Sequence, residues 1–183
     1  MQHQESESQG KCRCERQTGG TGGVKLLILG YTESGKTTAA EILADALHTT
    51  YLNTSDQLIK EFAEQSGIPQ ATIIENKQQY RDQLFALGMA RQESDPLWPQ
   101  DVQLRTADIL TGARNPNEIQ AARSHNLYDL IIWIDRPGYT AGNTDKLTPA
   151  DADCVIINDG SIEELREKLL STLAGRLASR PTG

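Results

Sequence analysis

The stretch from residue 24 to residue 38 constrains the fold more than any other part of this 183-residue chain. It begins with Val24–Leu29, an apolar run rich in branched side chains that has the length and composition of a buried parallel strand. The pattern G-x-x-x-x-G-K-T follows over Gly30–Thr37, and an amphipathic helix is predicted over Thr38–Leu47. A strand, a glycine-rich loop and a helix in this order indicate a phosphate-binding P-loop.

The residue types in this loop predict the chemistry of a nucleotide site. Gly30 and Gly35 let the backbone wrap a phosphate with its N–H groups pointing inward, and the helix N-terminus adds partial positive charge. Lys36 can reach the β- and γ-phosphates, and the Thr37 hydroxyl can ligate Mg²⁺. We therefore expect ATP and Mg²⁺ to bind at Gly30, Thr32, Glu33, Ser34, Gly35, Lys36, Thr37 and Thr38.

Composition excludes several classes of protein. A formal net charge of -7 argues against broad nonspecific binding to DNA, which depends on basic surfaces. The three cysteines are an odd number and give no disulfide framework. No stretch approaches the roughly 18 apolar residues of a membrane span, and no signal peptide is evident. We expect a cytoplasmic protein without membrane association and without an obligate protein partner.

The order of predicted strands and helices indicates one α/β domain. Residues 1–23 carry almost no apolar side chains and are predicted to be disordered, residues 24–178 form the domain, and residues 179–183 form a flexible end. Because strands alternate with helices, we expect a mostly parallel five-stranded sheet with helices on both faces, a three-layer P-loop NTPase sandwich. The predicted strands are 24–29, 49–53, 109–112, 130–134 and 154–157.

Two carboxylates stand at predicted strand ends. Asp56 follows the second strand, at the sheet edge where open α/β sheets bind ligands, and it is also placed to cap a helix. Asp135 ends the apolar run Leu130–Ile134 in the manner of a Walker B strand, which makes it a candidate ligand of Mg²⁺. A polar loop from Gly142 to Pro149 is predicted to close over the phosphates.

Residues 70–92 are predicted to form a helix that carries several cationic side chains. Lys77, Arg81 and Arg91 stand along this stretch, where arginines can hold an acceptor phosphate by bidentate contacts or can simply face solvent. Trp98, between two prolines, is either an aromatic plate beside a base or part of the core.

Four further segments resemble the bacteriophage deoxynucleoside monophosphate kinases, relatives of adenylate kinase. The segment 53–60, N-T-S-D-Q-L-I-K, is similar to the family's second-strand segment ending in Asp, and 77–84 followed by Gly88 and Arg91 is similar to its acceptor-side helix. The segment 111–118, T-G-A-R-N-P-N-E, resembles its T-D-v-R-f-p-N-E pattern. The segment 152–161 resembles its closing D-x-v-I-x-N-D-G strand and turn. With the P-loop, these segments cover residues 24 to about 177.

The resemblance implies roles for particular residues. Gly35, Lys36, Thr37 and Thr38 would hold ATP and Mg²⁺, and Asp56, Arg81 and Arg114 would face the acceptor, with Arg136 acting from the lid side. The catalytic set is then Lys36, Asp56, Arg114 and Arg136, and the substrate-binding set is Asp56, Arg81, Arg91, Trp98 and Arg114. The chain departs from the family at Gly112, where the family has an acidic residue.

If the protein is a pyrimidine deoxynucleotide kinase, two acceptors are therefore possible. One is a free deoxynucleoside monophosphate, already an anion, for which arginine clamps suffice. The other is the hydroxymethyl group of 5-hydroxymethyluracil in phage DNA, the acceptor of related phage DNA-modification kinases, which needs a base such as Asp56. A rival hypothesis is a nucleotide-binding regulator without kinase activity, in which the acceptor-side residues are ordinary surface.

Overall fold

A computed structural model describes residues 23–141 and 146–178. The predicted tail at 1–23, the first half of the predicted lid at 142–145 and the chain end at 179–183 lie outside these residues, apart from Gly23. In the described part, no helix is long and apolar enough to cross a membrane.

Five strands form one sheet in the order β2-β3-β1-β4-β5, and all four pairings are parallel. Every strand therefore ends at the same edge of the sheet. Strand β1 lies at the centre of the sheet, between β3 and β4, and its side chains are buried on both faces. The prediction of a mostly parallel sheet is confirmed in a stricter form. The strands are β1 Leu26–Leu29, β2 Tyr51–Asn53, β3 Ile109–Thr111, β4 Leu130–Asp135 and β5 Cys154–Ile157.

Helices cover both faces of the sheet, as predicted. One face packs against α1 and α7, whose buried side chains include Leu43 and Leu169, and the other packs against α6, Leu147 and Leu104, which directly follows α5. A 3₁₀ turn spans Pro149–Asp151. The helices are α1 Lys36–Leu47, α2 Thr54–Ser66, α3 Gln70–Glu75, α4 Arg81–Ser94, α5 Gln100–Gln103, α6 Pro116–Ser124 and α7 Ile162–Ala178.

Helices α2, α3 and α4 have a small core of their own. Ile59, Ile73 and Leu84 are buried together, with Phe62 and Tyr80 packed against them. The Phe62 and Tyr80 ring centroids lie 5.8 Å apart. This three-helix unit follows β2 and flanks the carboxyl edge of the sheet.

The predicted helix over residues 70–92 is wrong as a continuous element. The chain forms α3, then a turn over residues 76–80, and then α4. The α3 helix ends at Glu75, with Asn76 as its C-cap. The Asn76 side chain donates to the Thr72 carbonyl, and the Gln79 N–H donates to the Asn76 carbonyl over 2.8 Å. The break lets Ile73 and Leu84 reach one small core from two directions.

Candidate functional site

The loop between β1 and α1 has the geometry of a phosphate site. Gly30 has a φ of +145° and Gly35 a φ of +99°, and both angles disfavour any side chain. A Cβ at Gly30 would clash with the Ile134 carbonyl oxygen, and one at Gly35 would lie 2.5 Å from Asn158 Nδ2. Because Gly35 is also the N-cap of α1, no side chain covers the first N–H groups of that helix. These N–H groups are therefore available to an anion.

Lys36 closes the loop over its own start. Its ammonium donates to the Tyr31 carbonyl oxygen, so the side chain lies across the loop. Thr32, Glu33 and Thr37 are exposed, while Ser34 and Thr38 are less accessible. Glu33 has a φ of +63°, so this residue contributes a left-handed backbone conformation to the loop.

The β5–α7 turn supports the loop from the side. Asn158 Nδ2 donates to the Ser34 carbonyl over 2.9 Å, and the Asn158 N–H donates to the Asp135 carbonyl over 2.7 Å. Asn158 therefore connects β4 to the loop. Sequence reasoning treated Asn158 as part of a turn, and the only signal for this role was the N-D-G pattern.

A groove lies beside the loop, between the start of α1, the residues after β4 and the β5–α7 turn. It is lined by Gly35, Thr38, Arg136, Asn158, Gly160 and Leu165, among others. Arg136 Nη1 lies 3.4 Å from the Glu33 carbonyl oxygen, and its guanidinium carbon lies 4.9 Å from the centre of the Tyr139 ring. The Arg136 side chain is thus held between the loop and an aromatic ring.

The predicted metal ligands lie around the same loop. Thr37 is in the first turn of α1, and Asp135 is the last residue of β4, directly after the Ile134 carbonyl that contacts Gly30. Among the described residues, no three His, Cys, Asp or Glu side chains group into a metal site. Mg²⁺ in nucleotide enzymes needs only one or two protein ligands beside phosphate oxygens and water, so a hydroxyl and a carboxylate fit this ion.

Asp56 has the capping role that the sequence allowed. Its Oδ2 accepts the Asn53 N–H over 3.1 Å, while Asn53 Oδ1 accepts the Ser55 N–H over 3.0 Å, a capping box at the start of α2. The Asp56 side chain is nevertheless exposed at the carboxyl edge of the sheet. Capping and a role toward an acceptor are thus compatible.

Gly112 explains why this chain lacks an acidic residue after β3. Its φ is +91°, and a Cβ there would clash with Asn53 Oδ1 and lie 3.0 Å from Thr54 Oγ1. The residue therefore lies against the capping box that positions Asp56. An aspartate at this position requires a different approach of β3 to α2.

We expect Gly112→Ala to destabilise the fold by about 2 kcal/mol, about half from the positive φ and about half from the displaced Asn53 cap. Gly138→Ala is the matched control, because Gly138 has a φ of +88° and nothing lies within 4 Å of its Cβ position. Urea unfolding measures both. Equal losses would show that the clash with Asn53 contributes nothing.

A second groove opens between α2, α4 and α6. Its apolar wall includes Leu58, Leu84, Phe85, Met89 and Trp98, and its polar residues include Gln92, Arg114, Asn115, Glu118 and Lys146. Phe85 is 42% exposed although it is aromatic, so its ring faces the solvent around this groove. Aromatic side chains with a few fixed polar groups form a surface that is suited to a planar ring.

The polar floor of this groove is anchored by Glu118. The carboxylate accepts the Arg114 N–H over 2.7 Å and also accepts a hydrogen bond from the Gln92 side chain. Asn115 Nδ2 donates to Gln92 Oε1 over 3.0 Å, so both atoms of the Gln92 amide are fixed. Burial raises the pKa of Glu118 to about 7, although the backbone N–H groups of Arg114 and Asn115 act in the opposite direction. Sequence reasoning missed Glu118, whose only signal was the N-P-N-E pattern, and Gln92, which had no signal in the sequence beyond its place in a predicted helix.

The predicted acceptor-side cations do not all reach this groove. Arg114 lines it, whereas Arg81, the first residue of α4, is not one of its lining residues. Arg91 Nε donates to Glu61 Oε1 over 2.6 Å, and its guanidinium carbon lies 6.0 Å from the centre of the Trp98 ring. In this structure Arg91 links α4 to α2, while Trp98 lies on the wall.

Comparison with solved structures identifies the fold. The chain is similar to a shikimate kinase from Aquifex aeolicus with a TM-score of 0.53 and 16% identity, over 86% of this chain and 100% of that one. It also matches a sugar kinase from Janibacter sp. HTCC2649 (TM-score 0.48, 18% identity, 83% and 95%) and a shikimate kinase from Bacteroides thetaiotaomicron (0.45, 11%, 82% and 98%). No protein-family model matches the chain, and the search of curated proteins gave no match. The five-stranded parallel sheet with its helices is thus the P-loop fold of the Aquifex kinase.

Proposed function

We propose that this protein is an ATP- and Mg²⁺-dependent kinase whose acceptor is a pyrimidine deoxynucleotide. One observation carries the proposal: the phosphate loop and the aromatic groove both open at the carboxyl edge of the sheet. The loop follows β1, whereas the groove is lined by Gly112 and Arg114 after β3 and by Thr54 after β2. Because β3 lies between β2 and β1, the two sites are neighbours, as phosphate transfer requires.

The donor side supplies charge and position. The N–H groups of the loop and of α1 surround the phosphates, and Lys36 exchanges its contact with the Tyr31 carbonyl for a γ-phosphate oxygen. Thr37 and Asp135 would hold Mg²⁺, which neutralises charge on the phosphate oxygens when bound. Arg136 lies beside the loop, where a guanidinium stabilises the charge of the transferring group.

The acceptor side supports a flat, hydrogen-bonding substrate. Phe85 and Trp98 offer aromatic surface for a base, and the amide oxygens of Gln92 and Asn115, each with two lone pairs, can accept a further hydrogen bond from its edge. The groove is lined by just two cationic side chains among the described residues, Arg114 and Lys146. These features favour a planar base, rather than a charged group, as the part of the acceptor that lies in this groove.

The acceptor can take two forms, and Asp56 and the arginines have different roles in each. In both forms the bond from the γ-phosphorus to the β–γ bridging oxygen of ATP breaks, and ADP leaves. If the acceptor is the hydroxymethyl group of 5-hydroxymethyluracil in DNA, Asp56 accepts the hydroxyl proton as the oxygen attacks the γ-phosphorus. If it is a free deoxynucleoside monophosphate, a phosphate oxygen attacks and the arginines hold that phosphate. The exposed position of Asp56 supports the first form, and Arg114 on the groove wall supports the second.

Transfer of labelled γ-phosphate from ATP tests the proposal directly. The acceptors are dTMP, dCMP and dUMP, an oligonucleotide containing 5-hydroxymethyluracil with its thymine counterpart as control, and shikimate, which the names of two structural neighbours suggest. Label on a monophosphate or on the modified oligonucleotide supports the proposal and selects its form. Label on shikimate alone contradicts the proposed acceptor, and ATP binding without any transfer favours the regulator.

Asp56→Asn distinguishes the two forms. Asparagine keeps an oxygen for the capping box, so the fold is expected to persist, but it cannot take a proton. On a hydroxyl acceptor we expect kcat to fall by about a hundredfold or more, well beyond the effect of Arg81→Ala. Initial rates with both variants measure this, and Asp82→Asn in the first turn of α4 is the control. A larger effect of Arg81→Ala indicates a phosphate acceptor.

A further inference from the structure

The turn over residues 76–80 brings a lysine to the acceptor side of the sheet. In an uninterrupted helix Lys77 and Arg81 would share one helix face, four residues apart. The turn separates them, and Lys77 instead crosses to the first turn of α2, where its Nζ donates to Ser55 Oγ over 2.9 Å. Ser55 lies between Thr54, which lines the aromatic groove, and Asp56.

Opposite charges act on this lysine from two sides. The nearby Asp56 carboxylate favours its charged form, and the Arg114 guanidinium opposes it. Partial burial of the ammonium is the larger influence, and the pKa of Lys77 is lowered. Ser55 is next to Thr54, and Thr54 and Arg114 line the same groove, so the contact to Ser55 brings Lys77 beside the groove that Arg114 lines. An anion bound between these two cations would offset their mutual repulsion.

The contact to Ser55 leaves the ammonium capacity for a ligand. A lysine ammonium has three donors, and the Ser55 hydroxyl takes one of them. A serine hydroxyl is a neutral partner, so a phosphate oxygen replaces it with a stronger, charge-assisted hydrogen bond. The lysine stem is exposed, so the side chain has room to make this exchange.

We propose that Lys77 is a substrate-binding residue that holds a phosphate group of the acceptor together with Arg114, beside Asp56. The ligand chemistry is a phosphate oxyanion, which a free monophosphate or the backbone of DNA can supply. This inference rests on the proposed function for the identity of the acceptor. Its structural basis is the turn at 76–80, which places the lysine here.

The test compares four full-length proteins: wild type, Lys77→Gln, Lys77→Arg and Lys60→Gln. Lys60 is the matched control because it is an exposed lysine of α2. With the acceptor identified above, Lys77→Gln is expected to raise its KM by about tenfold, with kcat and the KM for ATP within about twofold of wild type. Lys77→Arg is expected to keep most of the affinity, and Lys60→Gln to match wild type.

A binding measurement separates this inference from the proposed function. The fluorescence of Trp98, on the groove wall, reports binding of dTMP and of thymidine, which lacks the phosphate. Lys77→Gln is expected to weaken the binding of dTMP about tenfold and to leave the binding of thymidine unchanged. Equal losses for both ligands, no loss for dTMP, or no binding of dTMP to wild type would each overturn the assignment to a monophosphate, even if no acceptor is phosphorylated.

The oligonucleotide distinguishes the source of the phosphate. If Lys77 holds a DNA phosphodiester, Lys77→Gln weakens the binding of the modified oligonucleotide. It also lowers the slope of log affinity against log salt concentration by about one. If the effect is confined to dTMP, the ligand is a monophosphate. If Lys77→Gln changes neither ligand, Lys77 only braces Ser55 and the proposal is wrong.

Discussion

Lys36→Ala is expected to lower kcat for γ-phosphate transfer by about a thousandfold or more. The lysine ammonium is the fixed positive charge of the loop, and no other lysine lies within the loop over residues 30–38. Such a substitution removes charge that acts on the transferring phosphate in the transition state, so kcat falls more than ATP affinity does.

The same lysine has a structural contact that requires a control. Its ammonium donates to the Tyr31 carbonyl, a bond whose loss is expected to cost about 1 kcal/mol of stability. Thermal unfolding of Lys36→Ala should therefore show a small decrease in Tm, with the sheet intact. Lys60→Ala on α2 serves as the control for removal of a charge. Full activity of Lys36→Ala would refute the assignment of the loop.

Glu118→Ala is expected to cause the largest loss of stability among the polar substitutions considered. The side chain is 3% exposed and accepts the Arg114 N–H and the Gln92 amide. Alanine leaves these donors without an acceptor and opens a cavity, for an expected loss of about 3 kcal/mol in the free energy of unfolding. Urea unfolding at pH 7 measures it. Glu93→Ala, on the neighbouring helix α4 and exposed, is the control.

Glu118 also makes the free energy of unfolding depend on pH, in a direction that can be predicted. Because its pKa is about 7 in the folded protein against an ordinary value of 4.5, the folded state holds the proton more tightly than the unfolded chain. The resulting stabilisation is complete below about pH 4.5 and is lost as the pH rises through 7. Between pH 5 and pH 8 the loss is about 2 kcal/mol.

Glu118→Gln isolates that contribution, because an amide of the same size does not titrate. The difference in unfolding free energy between wild type and Glu118→Gln should shift by about 2 kcal/mol in favour of the variant from pH 5 to pH 8. The Gln92 amide must rotate to accept from the new amide, which adds a cost that is independent of pH. A difference that is constant with pH would contradict a proton on Glu118.

The P-loop was predictable from sequence because its signals are local. A run such as Leu26–Leu29 can only be buried, and the glycines of the following loop are needed for backbone angles that few other residues adopt. Helix α1 starts at the N-cap Gly35, so the loop, the helix and the lysine follow from one another along the chain.

The acceptor half was less predictable because it depends on contacts between distant segments. Glu118 meets Gln92 across 26 residues, and Asn158 supports Ser34 across 124. No local pattern distinguishes Lys77, in a turn, from a lysine on a helix face, and the break after α3 follows from packing around Ile73 rather than from propensity. The sequence therefore indicated which cations were candidates but not which side chains they contact.

The separate core of α2, α3 and α4 has a consequence for how the protein opens. Three residues, Ile59, Ile73 and Leu84, are buried there, compared with the two large clusters on the faces of the sheet. Regions with few buried apolar contacts exchange their amide hydrogens through subglobal opening, at lower free energy than the sheet. We expect the acceptor side to open and close as one cooperative unit while the nucleotide side remains folded. An acceptor that is bound across this unit would then be protected from solvent by the folding of the unit itself.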